Sequence, residues 1–207
     1  MENGSWSSLR RWALRPAAAL VLLAAPGRAQ DAAMHIPTAR GTTLTGKDMA
    51  LPNSLNGKIG VLVVGFSRAS GEQVANWGRL IEAQYGQSRD LTYFEIPMLA
   101  GTPKFLRGMV VKQMSSTVPG PERAHFVPLT EDDKPWRAVA HYDQVDDAYV
   151  LVVNGDGALL WRMEGEATDM AWAEFKAKLN GLLTPPAAHG GIPRGDTGGK
   201  VDREPSI

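Results

Sequence analysis

Residues 58–77 constrain this chain more than any other stretch. They read Lys58-Ile59-Gly60-Val61-Leu62-Val63-Val64-Gly65-Phe66, then Ser67-Arg68-Ala69-Ser70-Gly71, then Glu72-Gln73-Val74-Ala75-Asn76-Trp77. The first part is an almost unbroken apolar run rich in β-branched residues, which suits a central strand buried on both faces. A short polar turn follows. Ser70 and Gln73 have capping-box spacing, with the hydroxyl placed to accept from the Gln73 amide while the Gln73 side chain reaches back. Val74, Trp77, Ile81 and Tyr85 then recur at helical spacing, so a helix over about 71–85 is predicted to lay one stripe on the sheet.

The flanking segments extend this unit. Residues 42–52 suggest two short strands around a Gly46-Lys47 turn. Leu91-Thr92-Tyr93-Phe94-Glu95-Ile96 is a second strand stopped by Pro97. Strand, helix and strand make a βαβ unit, expected to be parallel and right-handed. Thr102 and Pro103 have the character of a cap and a first helical residue, opening a helix to about Met114 with Phe105, Leu106, Met109 and Val110 as its apolar stripe. Residues 124–128 suit an edge strand and 135–140 a short helix. Asn154-Gly155-Asp156-Gly157, between the apolar runs 148–153 and 158–163, is a hairpin signal, because Asn and Gly tolerate positive φ. Thr168 or Asp169 is predicted to cap a last helix with the stripe Trp172, Phe175, Leu179 and Leu182, ended by Gly181 in the left-handed conformation.

The chain ends read differently. Residues 1–29 have a basic start at Arg10 and Arg11, a short apolar block at 17–25 and small residues before Gln30, the pattern of a cleaved export signal. The apolar block is too short to span a membrane. A mitochondrial transit peptide is the rival reading, since the segment is Arg-rich and nearly free of acids. Residues 30–40 are expected to be a flexible linker, and 41–183 the folded domain. Residues 184–207 hold four Pro and five Gly with almost no large apolar side chain. Such a tail cannot bury enough surface to offset chain entropy, so disorder is expected there.

Composition narrows the function classes. The 207 residues have a formal net charge of zero, yet 1–29 carry four arginines against Glu2 alone, which leaves the remainder mildly acidic. A nucleic-acid partner is not expected, because that binding needs a basic face. The chain has no cysteine, which removes disulfides, thiol catalysis and thiolate metal sites. His35, His125, His141 and His189 are scattered without metal-ligand spacing, and neither a metal nor a cofactor is expected. His125 between apolar neighbours reads as a satisfied strand histidine and Trp77 as core. The pairs Asp132-Asp133 and Asp146-Asp147 read as solvated turns.

The order of these elements, a βαβ half followed by a hairpin and a terminal helix, resembles the thioredoxin fold: α/β, with a central mixed β-sheet flanked by helices. Residues 41–98 are similar to the thiol-disulfide and peroxiredoxin branch, with Gly46-Lys47-Asp48, Leu55-Asn56-Gly57-Lys58 and Gly65-Phe66-Ser67 in the corresponding places. The turn that would hold that branch's redox pair carries Ser70, Gly71, Glu72, Gln73 and Val74 here. The loop where the branch places a cis-proline reads Val145-Asp146-Asp147-Ala148. Phe66-Ser67-Arg68, Gln73, Asn76-Trp77, His125-Phe126 and Leu160-Trp161-Arg162 resemble the mitochondrial ATP synthase assembly factor family related to yeast Atp-ten, and its bacterial relatives.

This resemblance implies a redox-inactive protein acting by protein-protein interaction on a subunit of a membrane complex; the export pattern of residues 1–29 places it in the periplasm or secreted outside the cell, the transit-peptide reading in the mitochondrion. Peripheral association with a membrane is compatible with such a role. The expected contact surface is the lip formed by Ser67, Arg68, Ser70 and Gln73 with Asp146 and Asp147. There the carboxyl end of a strand and the amino end of a helix leave unpaired amides. The rival class is an enzyme reusing the same cleft, with Ser67, Arg68 and His125 as its working groups. It requires His125 within hydrogen-bond reach of Ser67.

Overall fold

A computed structural model describes residues 33–184. The long apolar run becomes β3 (Ile59–Gly65), the second strand of a four-stranded sheet ordered β4-β3-β5-β6, where β4 is Leu91–Pro97, β5 Ala148–Val153 and β6 Leu159–Glu164. β3 runs parallel to β4 and antiparallel to β5, and β6 returns antiparallel to β5. The sheet is therefore mixed. β3 and β5 are buried along nearly their whole length because both faces are covered.

Alternation along the strands sorts side chains into two cores. Leu62, Val64, Ile96, Tyr149, Leu151 and Val153 face one side. There they meet the ribbon of β1 (Ala39–Thr42) and β2 (Asp48–Leu51), the segment through Val127 and Leu129, and α3 (Lys134–Ala140) with its buried Trp136. Val61, Val63, Tyr93, Val150 and Val152 face the other side. They pack on α1 (Ser70–Tyr85) through Val74, Trp77 and Ile81, and on α4 (Asp169–Leu183) through Phe175 and Leu179. The Trp77 indole stacks edge-on to Phe175 at 5.4 Å and donates through Nε1 to the Gly165 carbonyl at 2.9 Å, so its one polar atom is satisfied inside the core.

The hairpin between β5 and β6 forms as its residues require. Asn154 Oδ1 accepts from the Asp156 and Ala158 amides at 3.1 and 2.8 Å, and Gly157 takes φ +83°, open to glycine at no steric cost. Thr168 caps α4 by accepting from the Ala171 amide at 3.2 Å.

Five expectations need correction. The described part of the expected linker, 33–40, is folded: Ile36 is 5% exposed, its amide donates to Gly157 at 2.9 Å, and His35 pairs with Ala158 beside the hairpin. Ile36 and Ala39 belong to the same core as β2, so burial orders the segment. The helix α2 (Lys104–Thr117) buries none of its residues, so the stripe of Phe105, Leu106, Met109 and Val110 does not face a core. Thr102 does not cap it either; Pro103 is the residue before the helix, without a side-chain cap. Gly181 lies inside α4, which runs to Leu183, where the Thr184 amide and hydroxyl close on Asn180. Residues 122–124 are a 3-10 turn, after which 125–129 run beside β4 through bridges at Phe126 and Leu129 without forming a regular strand. The expected export segment 1–29 and the expected tail beyond Thr184 lie outside the described residues.

Candidate functional site

The turn from β3 into α1 is built from its own hydroxyls. The Ser70 amide donates to Ser67 Oγ at 3.0 Å, and Ser70 Oγ donates to the Ser67 carbonyl at 2.9 Å while accepting from the Ser67 amide at 3.3 Å. Ser70 is fully buried, so it fixes the turn and offers no surface to a partner. The capping box is not formed: Ala69 is the residue before the helix, and Gln73 points elsewhere. Gly65 is required where the strand meets this turn, since a Cβ there would lie 2.8 Å from Ser70 Oγ and 2.9 Å from Val74 Cγ2.

Gln73 reaches across to the loop before β5. Its Oε1 accepts from the Ala148 amide at 3.0 Å, and its Nε2 donates to Asp147 Oδ1 at 3.3 Å. Ser67 Oγ lies 3.4 Å from Asp146 Oδ1, and donates there at the long end of the range. Thus Ser67, Gln73, Asp146 and Asp147, although some 75 residues apart in sequence, form one lip. Arg68 stands on it exposed, and its guanidinium has no hydrogen-bond or ion-pair partner among the described residues.

His125 is placed away from this arrangement. Its Nδ1 pairs with the Tyr93 carbonyl at 3.0 Å and its ring stacks on Tyr93 with centroids 4.2 Å apart. Among the described residues no hydrogen bond joins it to Ser67, so the nucleophile-base pair that an enzyme in this cleft would need is not formed.

Beside the lip lies a cavity of about 540 Å³, walled by Phe66, Ser67 and Arg68 on one side and by Val110 and Met114 of α2 on another. Glu95 and Glu122 also line it. Glu95 lies two residues beyond Tyr93 and four beyond Leu91 on β4 and so shares their face, the α1 face of the sheet. It is 0% exposed, and neither carboxyl oxygen has a hydrogen-bond partner among the described residues. Leaving a buried polar group unpaired costs about 2–7 kcal/mol, more than a typical hydrogen bond returns. Burial, then the charge of Glu122, push the Glu95 carboxyl up to about 8, with Arg79 opposing. Glu122 is raised in the same way, first by burial. The Tyr93 hydroxyl is raised by burial and by its 3.0 Å hydrogen bond to Glu82. Gly78 of α1 makes room for the Glu95 carboxyl: a Cβ there would lie 2.3 Å from the carboxyl carbon.

Sequence reading did not single out Glu95. The available signal was a carboxylate at a core-facing register of an otherwise apolar strand, a place where ionisable residues are rarely fully buried.

No family model matches the chain, and no curated protein matches it. Solved structures do. A protein of Chlorobium tepidum described as a thiol:disulfide interchange protein DsbE is 15% identical, with a TM-score of 0.53 over 73% of this chain and 97% of that one. The thioredoxin domain of a thiol-disulfide oxidoreductase from Bacteroides vulgatus is 14% identical over 74% and 99%, TM-score 0.49. StoA from Bacillus subtilis is 12% identical over 69% and 98%, TM-score 0.48. At such identities the likeness to the first of these shows the fold alone. The chain thus has an α/β thioredoxin-like fold with a central mixed sheet flanked by helices, and it has no cysteine with which to perform thiol-disulfide chemistry.

Proposed function

We propose that this protein is a binding module on a redox-inactive thioredoxin-like fold, acting outside the cytoplasm by capturing a protein partner during assembly of a membrane complex such as the F-type ATP synthase. One observation carries the reading: just before the turn that would hold a redox pair, this chain presents Arg68, exposed and unpartnered among the described residues, on a lip tied together by Ser67, Gln73, Asp146 and Asp147. A planar guanidinium beside the amino end of α1 suits a carbonyl or carboxylate of an incoming chain, which can take both of its parallel N–H donors. Among the described residues no helix is long and apolar enough to cross a membrane.

Affinity purification of the full chain from native membranes, followed by mass spectrometry, tests the reading. Enrichment of subunits of one membrane complex, absent from a control with Arg68→Ala, is the expected result. Recovery of the same proteins by both baits would refute the role of the lip.

A further inference from the structure

We propose that the cavity between α1, β4 and α2 binds a small apolar molecule bearing an ammonium or guanidinium head, with the head held where Glu95 and Glu122 line the wall and the apolar body lying against Phe66, Val74, Val110 and Met114. The cavity shares Ser67 and Arg68 with the lip, but its head-binding groups, Glu95 and Glu122, take no part in partner capture, so the proposal does not depend on that reading. A volume of about 540 Å³ falls within the range of small-molecule sites, which are mostly apolar with a few convergent polar groups.

The choice of ligand follows from donor counting. Both oxygens of Glu95 lack a partner among the described residues, so its complement must supply at least two donors. A carbonyl or ether ligand supplies none; it could satisfy only a proton already on Glu95 and would leave the second oxygen orphaned. An ammonium carries three donors and a guanidinium five, enough for Glu95 and its neighbour Glu122 together. The charges around Glu95 point the same way. Glu122 from the 3-10 turn and Glu82 from α1 add negative charge. Arg79 of α1, the cation that opposes them, is spent on Asn76 and the Ala75 carbonyl of its own helix. Tyr93 donates to Glu82 and His125 stacks on Tyr93, so neither reaches Glu95 as a donor. From α2 the wall carries Val110, Gln113, Met114 and Thr117, and from the lip Arg68, so α2 brings no titratable group to Glu95.

The pH dependence distinguishes this ligand class from others. With the Glu95 carboxyl raised to about 8 by burial and by Glu122, a cation binding below that pH must displace a proton. Its affinity should then fall by up to about tenfold per pH unit from pH 8 towards pH 6. An alkylamine stays charged throughout this range, its own pKa being about 10.4.

Calorimetric titration of the purified full chain at pH 8.5 with n-octylamine, 1-octanol and octanoate, each below its micellar concentration, tests the proposal. We expect one-to-one binding of octylamine at least ten times tighter than 1-octanol, with octanoate weaker still. Glu95→Gln, which keeps the shape and can fold without the buried acid, should remove the amine's advantage while leaving 1-octanol binding unchanged. Val110→Trp, which fills the cavity and leaves both carboxyls in place, should abolish binding of all three. Equal affinity for octylamine and 1-octanol, an amine advantage surviving Glu95→Gln, amine binding that survives Val110→Trp or tightens as pH falls, or no saturable binding of octylamine would each overturn it.

Discussion

The helices α1 and α2 are of similar length, and both show apolar residues at helical spacing, yet they end in opposite situations. α1 buries Ser70, Val74, Trp77, Gly78 and Ile81 against the sheet, whereas α2 buries nothing and leaves Phe105 84% and Met109 63% exposed. The inner residues of α2, Val110 and Met114, face the cavity and not a packed core. Local bonds hold its start: the Arg107 guanidinium donates to the Thr102 and Ala100 carbonyls at 2.9 and 3.2 Å. A repeat of apolar residues therefore establishes that a helix forms, but what covers its stripe depends on where the topology places it. α1 is bracketed by the parallel strands β3 and β4 and must cross the sheet face; α2 leaves the end of β4 and leads back only to the irregular segment 125–129, which meets β4 through isolated bridges.

The sharpest test of this contrast is deletion in the packed helix. Trp77→Ala removes a fully buried ring and its hydrogen bond to Gly165. It should cost about 3–5 kcal/mol, read as a lower urea midpoint. A loss below about 1 kcal/mol would show that α1 is not the better-anchored helix. Gly65→Val should come next, at about 1–3 kcal/mol, because the new side chain collides with Ser70 and Val74 where the helix meets its strand. Full retention of the wild-type midpoint would mean the turn yields more easily than its hydroxyl bonds suggest.

Glu95, between the two helices, should give an effect that depends on pH. Burial, then Glu122, lift its carboxyl from 4.5 to about 8, so across that window the folded protein keeps a proton that the unfolded chain has released. Stability is then greatest at the acid end, falls as pH rises by at most about 1.4 kcal/mol per unit, and levels off above about 8. Glu122, shifted in the same direction, adds to the slope. Glu95→Gln should flatten this decline in denaturation curves between pH 5 and 8.5, and an unchanged slope would assign it to other groups. The smallest effect is expected on α2: Phe105→Ala should change stability by less than about 0.5 kcal/mol, because the residue is 84% exposed. A loss comparable to that of Trp77→Ala would erase the contrast.

The same contrast explains what the sequence made legible. β3, the hairpin and α4 were readable because a β-branched run, an Asn-Gly-Asp-Gly turn and a Thr cap each specify local geometry through nearby atoms. The gathering of Ser67, Gln73, Asp146 and Asp147 was readable only through resemblance to a fold, since their bonds span the whole βαβ unit. The detail of the turn was not: Ser70 spends its hydroxyl on Ser67, and Gln73 satisfies the Ala148 amide in place of the helix start. Residues 33–40 and Gly181 were misread because tertiary packing in one case and helix continuation in the other overrode local preference. Glu95 went unremarked because nothing around it in sequence shows that its carboxyl has no partner.

Placing a photo-crosslinking residue at position 68 or at position 105 of the full chain, in cells, asks directly which of the two regions meets the partner. We expect a discrete adduct with a membrane-complex subunit from position 68 and none from position 105, although Phe105 is a large apolar side chain left 84% exposed. An adduct from position 105 with none from position 68 would contradict the central claim and move partner recognition from the β3–α1 lip to α2.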